Sequence, residues 1–306
     1  MIGKVVTVLR NEGIKGLIRR VKNRRDKKVI MMRLLREMRS LLNRMLLSAV
    51  FKKTTTFGYL SYRCNICGMA CKSKVVELER EEPSCLGCGS TVRMRAITHV
   101  LSMELFGNSL AIPDFPERPD ITGIGMSDWI GYAVPLGKKL GYKNTYYHKP
   151  PKLDITSIDS DLEGTLDFVI SSDVFEHVEP PISRAFENVR KLLKPDGVLI
   201  FSVPYVKDGC TVEHFPDLYK YEIAQKGEDY ILQNITRDGG KQIYENIVFH
   251  GGCGATLEMR VFSETSLLEE FRKACFANVK IYKASDFEHG IHWDCNCSLP
   301  IAARIR

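Results

Sequence analysis

An α/β architecture, a mostly parallel sheet with helices on both faces, is what the sequence predicts, and three observations carry it. Beyond residue 120, short apolar runs alternate with helix-length amphipathic segments. The first of these runs, ITGIG, enters a glycine turn. Four successive apolar runs then end in polar residues, as strands do when their carboxyl ends line a ligand crevice. The chain has 306 residues, 44% hydrophobic and 26% charged, which is ordinary for a globular protein with a sizeable core.

Residues 1–53 stand apart. They hold 16 Lys/Arg and 3 Asp/Glu, whereas the rest of the chain holds 28 and 34. Met31, Leu35, Met38, Leu42 and Met45 recur at helical spacing, with Arg33, Arg36, Arg39 and Arg44 opposite. This pattern predicts a basic amphipathic arm. It suits docking on its own body, a sister subunit in an oligomer formed through residues 27–51, nucleic acid, or the inner face of a membrane. No run of 18 apolar residues predicts a transmembrane helix, and no secretory signal is expected.

Residues 54–110 are expected to form a small ribbon and a linking helix. YRCNICG and PSCLGCGS place Cys64, Cys67, Cys85 and Cys88 as CxxC-x17-CxxC. Two tight turns, each followed by a glycine, supply four sulfurs that close a tetrahedral zinc shell, so the role is structural. Buried free thiols and an iron–sulfur cluster are the competing readings. Cys71 is a spare. The remaining cysteines are scattered, which reads as a reduced, cytosolic chain rather than a disulfide framework. Residues 91–107 then predict a helix stopped by Gly107, and the proline-rich 111–120 a linker.

In the body, 111–306, strands are expected at ITGIG (121–125), NTYYH (144–148), KLDI (152–155), LDFVIS (166–171), GVLIFSV (197–203), NVKIYKA (278–284) and SLPIAARI (298–305). Helices are expected at 129–141, where Pro135 bends the helix or shifts its start, and at 181–193 and 266–276. Residues 205–262 break the alternation and read as an insertion covering the active edge of the sheet.

The polar strand ends are Gly123, Gly125, Ser127 and Asp128 after the first strand, His148 after the second, Asp154 after the third, and Ser171 and Asp173 at the fourth. On LDITSIDSDLEGTLDFVISSDVFEHV, followed by RAFENVRKLLKPDGVLIFSVPY, the chain resembles the class I S-adenosylmethionine-dependent methyltransferases. It is most similar to bacterial methyltransferase-domain proteins of surface-polysaccharide type that carry an N-terminal zinc ribbon. The resemblance implies a Rossmann-like class I methyltransferase sheet with an antiparallel last strand, and S-adenosyl-L-methionine as cofactor.

It further implies that the loop from Gly123 to Asp128 holds the methionine part and that Asp154 and Ile155 frame the adenine. The family's acid at the end of the second strand is replaced here by Tyr147 and His148, which leaves Asp128 to take the ribose. His177 is the first candidate for a general base, because an imidazole titrates near neutrality. His214 and His250 of the insertion are further candidates, and Asp173 is expected to orient cofactor or substrate. The function expected is O-methylation of a glycan or small-molecule acceptor at the membrane surface. An RNA methyltransferase gripping phosphates through arm and ribbon, and a non-catalytic binding module, are the alternatives.

Overall fold

The structure is a computed structural model that describes residues 55–56, 58–227, 229–251 and 256–306. The basic arm expected at 1–53 lies outside the described residues. Among the described residues, no helix is long and apolar enough to cross a membrane. After a two-residue strand β1 (Thr55–Thr56), residues 58–306 form one compact unit.

That unit opens with the hairpin β2 (Tyr59–Arg63) and β3 (Ala70–Lys74), paired antiparallel from Tyr59–Lys74 to Arg63–Ala70. Helix α1 (Val92–Phe106) follows. Thr91 caps it by accepting the Met94 N–H, and Gly107 ends it in the left-handed conformation at φ 72°, as the sequence predicts.

The main sheet has six strands in the order β16-β17-β7-β6-β4-β5. They are β4 (Arg118–Met126), β5 (Leu140–Thr145), β6 (Leu166–Ser172), β7 (Leu193–Ser202), β16 (Asn278–Ile281) and β17 (Ile301–Arg304). β4, β5, β6 and β7 pair in parallel. β17 runs antiparallel to both its neighbours, so the last strand is the reversed one, as expected. Helices α2 (Ile130–Lys139), α3 (Ser183–Leu192) and α4 (Glu264–Lys273) connect them. Chain order reverses between β4 and β6: β4 leads outward to β5, and β6 leads the other way to β7. That is where a parallel sheet opens a crevice at its carboxyl edge.

Side chains alternate across the strands, so each strand feeds two cores. Phe168, Ile170, Val198 and Ile200 face α1, α2 and the ribbon's Leu60, Tyr62 and Ile66. Val169, Leu199, Phe201 and Ala303 face α3 and α4. There Phe175, Phe186, Phe201 and Phe271 meet edge to face at 5.0–5.3 Å in four contacts. The ribbon is thus part of the unit's own core.

Four details differ from the sequence expectation. The second strand ends at Thr145, so Tyr147 and His148 lie in the loop beyond it. KLDI forms no strand of its own; Tyr146 and Lys152 make an isolated parallel bridge, because two consecutive prolines interrupt the pairing. Pro135 does not delay α2, which runs through it from Ile130. Cys295 and Cys297 are joined in a disulfide, a pair that the reading of scattered reduced cysteines did not include.

The insertion is more regular than expected. It holds the antiparallel sheet β10 (Lys220–Lys226), β11 (Asp229–Ile235) and β12 (Lys241–Tyr244). It also holds the pair β13 (Phe249–His250) and β14 (Thr256–Leu257) and a small sheet of order β8-β15-β9. The strands of that small sheet are β8 (Tyr205–Val206), β9 (Val212–Glu213) and β15 (Arg260–Ser263).

Candidate active site

Two residues flank the switch crevice in the left-handed backbone conformation without being glycine: Ser127 after β4, at φ 57°, and Asp173 after β6, at φ 54°. Such conformations persist where the surroundings hold them. Here Ser127 donates its N–H to Thr145 O at 2.7 Å, and Asp173 donates its N–H to Ser202 O at 2.8 Å. Each turn is therefore tied to the end of the neighbouring strand.

The loop after β4 is braced from beneath. A Cβ on Gly125 would stand 2.0 Å from Asp128 Oδ2 and 2.1 Å from Tyr142 OH. A Cβ on Gly123 would strike the Phe168 ring at 2.4 Å. These glycines therefore make room for protein groups below the strand. Asp128, expected to reach the ribose, is buried and accepts the Tyr142 hydroxyl at 2.6 Å. Its backbone is pinned by Asn144, which accepts the Asp128 N–H at 3.0 Å and donates to its C=O at 2.8 Å. Burial pushes the Asp128 carboxyl up to about 7.

The other expected cofactor residues are placed as follows. His148 is exposed, its ring packed edge-on to Tyr147. Asp154 is half-buried and accepts the Thr156 N–H and hydroxyl at 2.9 and 2.7 Å, an Asx-type turn. Ile155 is buried, and its C=O accepts from Asn188. Ser171 is fully buried inside β6 rather than at the rim.

Asp173 sits at the centre of a charged network that sequence reasoning missed. Arg80, from the ribbon, grips it with two nitrogens at 2.9 and 2.7 Å. Arg93, on the first turn of α1, approaches it at 3.1 Å and donates to Ser172 Oγ at 2.7 Å. Glu81 pairs with both arginines. Burial raises the Asp173 carboxyl, but the two guanidiniums more than offset it and hold it below the usual carboxylate range. Arg80 and Arg93 sit in a run of mixed charge, ELEREEPSCLGCGSTVRMR, that offers no pattern to single them out.

His177 and Glu176 lie in the short turn after Asp173 (Phe175–His177). His177 Nδ1 lies 2.8 Å from Leu257 O, so it carries the proton and leaves the Nε2 lone pair free. Burial lowers the imidazole from its ordinary value. His250 packs edge-on against His177 at 4.7 Å. His250 Nε2 and His214 Nε2 meet the two oxygens of Glu258 at 2.8 and 2.9 Å. The expected candidates His177, His214 and His250 therefore come together in one cluster, linked by a carboxylate that the sequence did not flag. Glu213 points elsewhere, to Arg260 at 2.7 Å. Tyr205 is buried.

The ribbon sulfurs converge as well. Cys64 and Cys88 Sγ are 3.7 Å apart, and Cys67 and Cys85 Sγ are 3.6 Å apart. All four lie within 4.8 Å of one another. Tetrahedral thiolates at about 2.3 Å from zinc stand about 3.8 Å apart, so the set can hold that ion. Gly68 and Gly89, at φ 79° and 74°, donate their N–H groups to Cys64 O and Cys85 O, making two matching knuckles. Cys71 Sγ, 3.6 Å from Met69 O and from Cys85 Sγ, is not one of the four.

A separate cavity of about 370 Å³, lined by Glu104, Ile121, Asp167, Lys194, Asp196 and Arg304, opens at the opposite, amino edge of the sheet. None of the expected site residues lies there.

A sheet reversed only at its last strand, with an anion–cation network at the switch point, defines a nucleotide-edge α/β enzyme. A family model described as a methyltransferase domain matches residues 115–281, more than half of the chain, and the chain belongs to that family. It is a class I S-adenosylmethionine-dependent methyltransferase. The chain is similar to the 1,6-didemethyltoxoflavin N1-methyltransferase of Burkholderia thailandensis, solved with S-adenosylhomocysteine bound. The two share 15% identity over 69% of this chain and 77% of that one, at a TM-score of 0.36. It is similar also to an S-adenosylmethionine-dependent methyltransferase of Clostridium acetobutylicum (11% identity, 70% and 91% covered, TM-score 0.37). A sugar N-methyltransferase of a Streptoalloteichus species gives 10% identity, 70% and 87% covered, and a TM-score of 0.39. Among curated proteins, none matches.

The crevice sets the Asp173 carboxylate beside the guanidiniums of Arg80 and Arg93, charges of both signs that the zwitterionic amino-acid end of the cofactor would meet there. When bound, S-adenosylmethionine supplies an activated methyl group. What the chain adds is alignment of donor and acceptor.

Proposed function

We propose that this enzyme O-methylates a sugar or other small hydroxylated acceptor. One observation carries the reading: the lone pair of His177 Nε2, fixed by the Leu257 carbonyl, stands beside the donor crevice among His250 and Glu176. A hydroxyl is a poor nucleophile until its proton is drawn off, and it gains most from such a group. The sequence at the end of β6 is SSDVF, with no proline pair to clamp a planar amine.

Structural zinc on Cys64, Cys67, Cys85 and Cys88 completes the ribbon in this reading. The excess of 13 positive charges in residues 1–53 would bring the enzyme to the cytoplasmic membrane face, where lipid-linked sugars are assembled. The test is calorimetry with S-adenosylmethionine and S-adenosylhomocysteine, followed by transfer of a labelled methyl group to a panel of sugars, lipid-linked sugars and RNA. A methyl ether on a sugar is the expected product. Labelled RNA, or RNA that copurifies and leaves only with salt, overturns the acceptor. No binding of either cofactor form at millimolar concentration overturns the enzyme reading.

A further inference from the structure

Glu176 is 1% exposed, yet neither of its carboxylate oxygens has a hydrogen-bond partner among the described residues. A carboxylate left so is costly unless something else meets it. What stands around it is a set of nitrogen donors. One ligand atom each from Glu176, His177 and His250 lies within 4.8 Å of the other two. His177 Nε2 is 3.8 Å from Glu176 Oε1.

The outer contacts are those of metal-binding imidazoles, which give their second N–H to a carbonyl or carboxylate. His177 gives its Nδ1–H to Leu257 O, and His250 gives its Nε2–H to Glu258. Two elements far apart in sequence are held together there. Met259 N–H donates to Glu176 O at 2.8 Å, and the buried Arg260 donates to Phe175 O and Val178 O at 2.8 and 2.6 Å.

We infer that Glu176, His177 and His250 bind a divalent first-row metal ion, at a site separate from the ribbon. Two imidazoles and one carboxylate suit Mn²⁺, Fe²⁺, Co²⁺ or Zn²⁺ rather than the all-oxygen preference of Mg²⁺ or Ca²⁺. Three protein ligands leave coordination positions open. The inference rests on methyl transfer to oxygen and gives the His177 Nε2 lone pair to the cation, which then takes over from the free imidazole the task of drawing off the acceptor's proton. The cation acidifies the hydroxyl, and the proton passes to water. The new O–CH₃ bond forms as the S–CH₃ bond breaks, and the cofactor leaves as its neutral thioether. The metal changes no oxidation state.

The experiment titrates full-length protein carrying one equivalent of zinc, which the four ribbon thiolates take first, with Mn²⁺, reading free ion by electron paramagnetic resonance, and with Co²⁺, reading its visible bands. The ribbon's soft thiolates do not compete for Mn²⁺. One ion per chain is expected, with affinity at least tenfold weaker in Glu176→Gln and in His250→Ala. His250 is half-buried near the molecular surface, so its variant keeps the fold, checked by circular dichroism. Absence of Mn²⁺ and Co²⁺ binding at millimolar concentration, or unchanged affinity in both variants, overturns the inference. S-adenosylhomocysteine calorimetry on the same samples separates the two questions. Cofactor binding without metal binding sinks the cation site alone, whereas loss of cofactor binding sinks the methyltransferase reading.

Discussion

At the residue scale, the molecule depends on a few buried charges that join distant segments. Arg260 is 1% exposed; it donates to two carbonyls of the turn that carries Glu176 and His177, and to Glu213 at 2.7 Å. Arg95, equally buried, does the same for the ribbon, donating to Ser90 O, Ser84 Oγ and Gly290 O beneath the Tyr62 ring. Removing such a group leaves its partners desolvated and unpaired. Arg260→Ala is therefore expected to cost about 3 kcal/mol of unfolding free energy. Arg260→Lys should recover little, because an ammonium cannot span both carbonyls and the carboxylate as the planar fork does. Urea midpoints measure both. A loss below about 1 kcal/mol for the alanine variant would show that the insertion is held on by other means.

At the scale of elements, the loop from β4 to α2 couples its packing to pH. Asp128 is buried under Gly125, and its carboxyl stands near 7 in the folded chain against an ordinary value near 4. The folded state then holds a proton between about pH 4 and 7 that the unfolded chain has released. Stability contributed by this group therefore falls as pH rises through that window, by up to about 1.4 kcal/mol per unit, and is level above 7. Asp128→Asn keeps the acceptor for Tyr142 and abolishes the titration. The difference in urea midpoint between wild type and variant should move in the variant's favour from pH 5 to pH 8. An unchanging difference would mean that Asp128 does not titrate there.

The same loop shows what the sequence could and could not reveal. Alternating apolar runs made β4, β6 and β7 legible, because a strand buried on both faces has no other composition open to it. Gly107 marked the end of α1 by capping chemistry alone, while the Thr91 cap at its start was not singled out. The inward turn of Asp128 was not legible, since nothing local says which face a loop carboxylate will choose. KLDI read as a strand from composition, but the prolines before it left a single bridge. Arg80 and Arg93 reach Asp173, and Glu258 reaches His214, across 44 to 93 residues, beyond any local pattern.

At the scale of the whole molecule, ribbon and catalytic sheet share one interior. Leu60, Tyr62, Ile66 and α1 pack with Tyr132, Tyr142 and Phe168 in a single core, and the ribbon also delivers Arg80 to Asp173. A hairpin of two five-residue strands buries little apolar surface by itself, so the zinc proposed for the four thiolates would brace it. Metal loss should then act far from the ribbon. Stripping zinc with a strong chelator is expected to lower the unfolding temperature of the whole unit by about 10 °C or more, in a single transition. It should also weaken S-adenosylhomocysteine binding, because Arg80 and Arg93 lose their footing. The His250→Ala protein, lacking the second cation site, should show the same drop, which assigns the effect to the ribbon. A chelated protein with an unchanged melting temperature and unchanged cofactor affinity would mean that packing alone holds the ribbon in place.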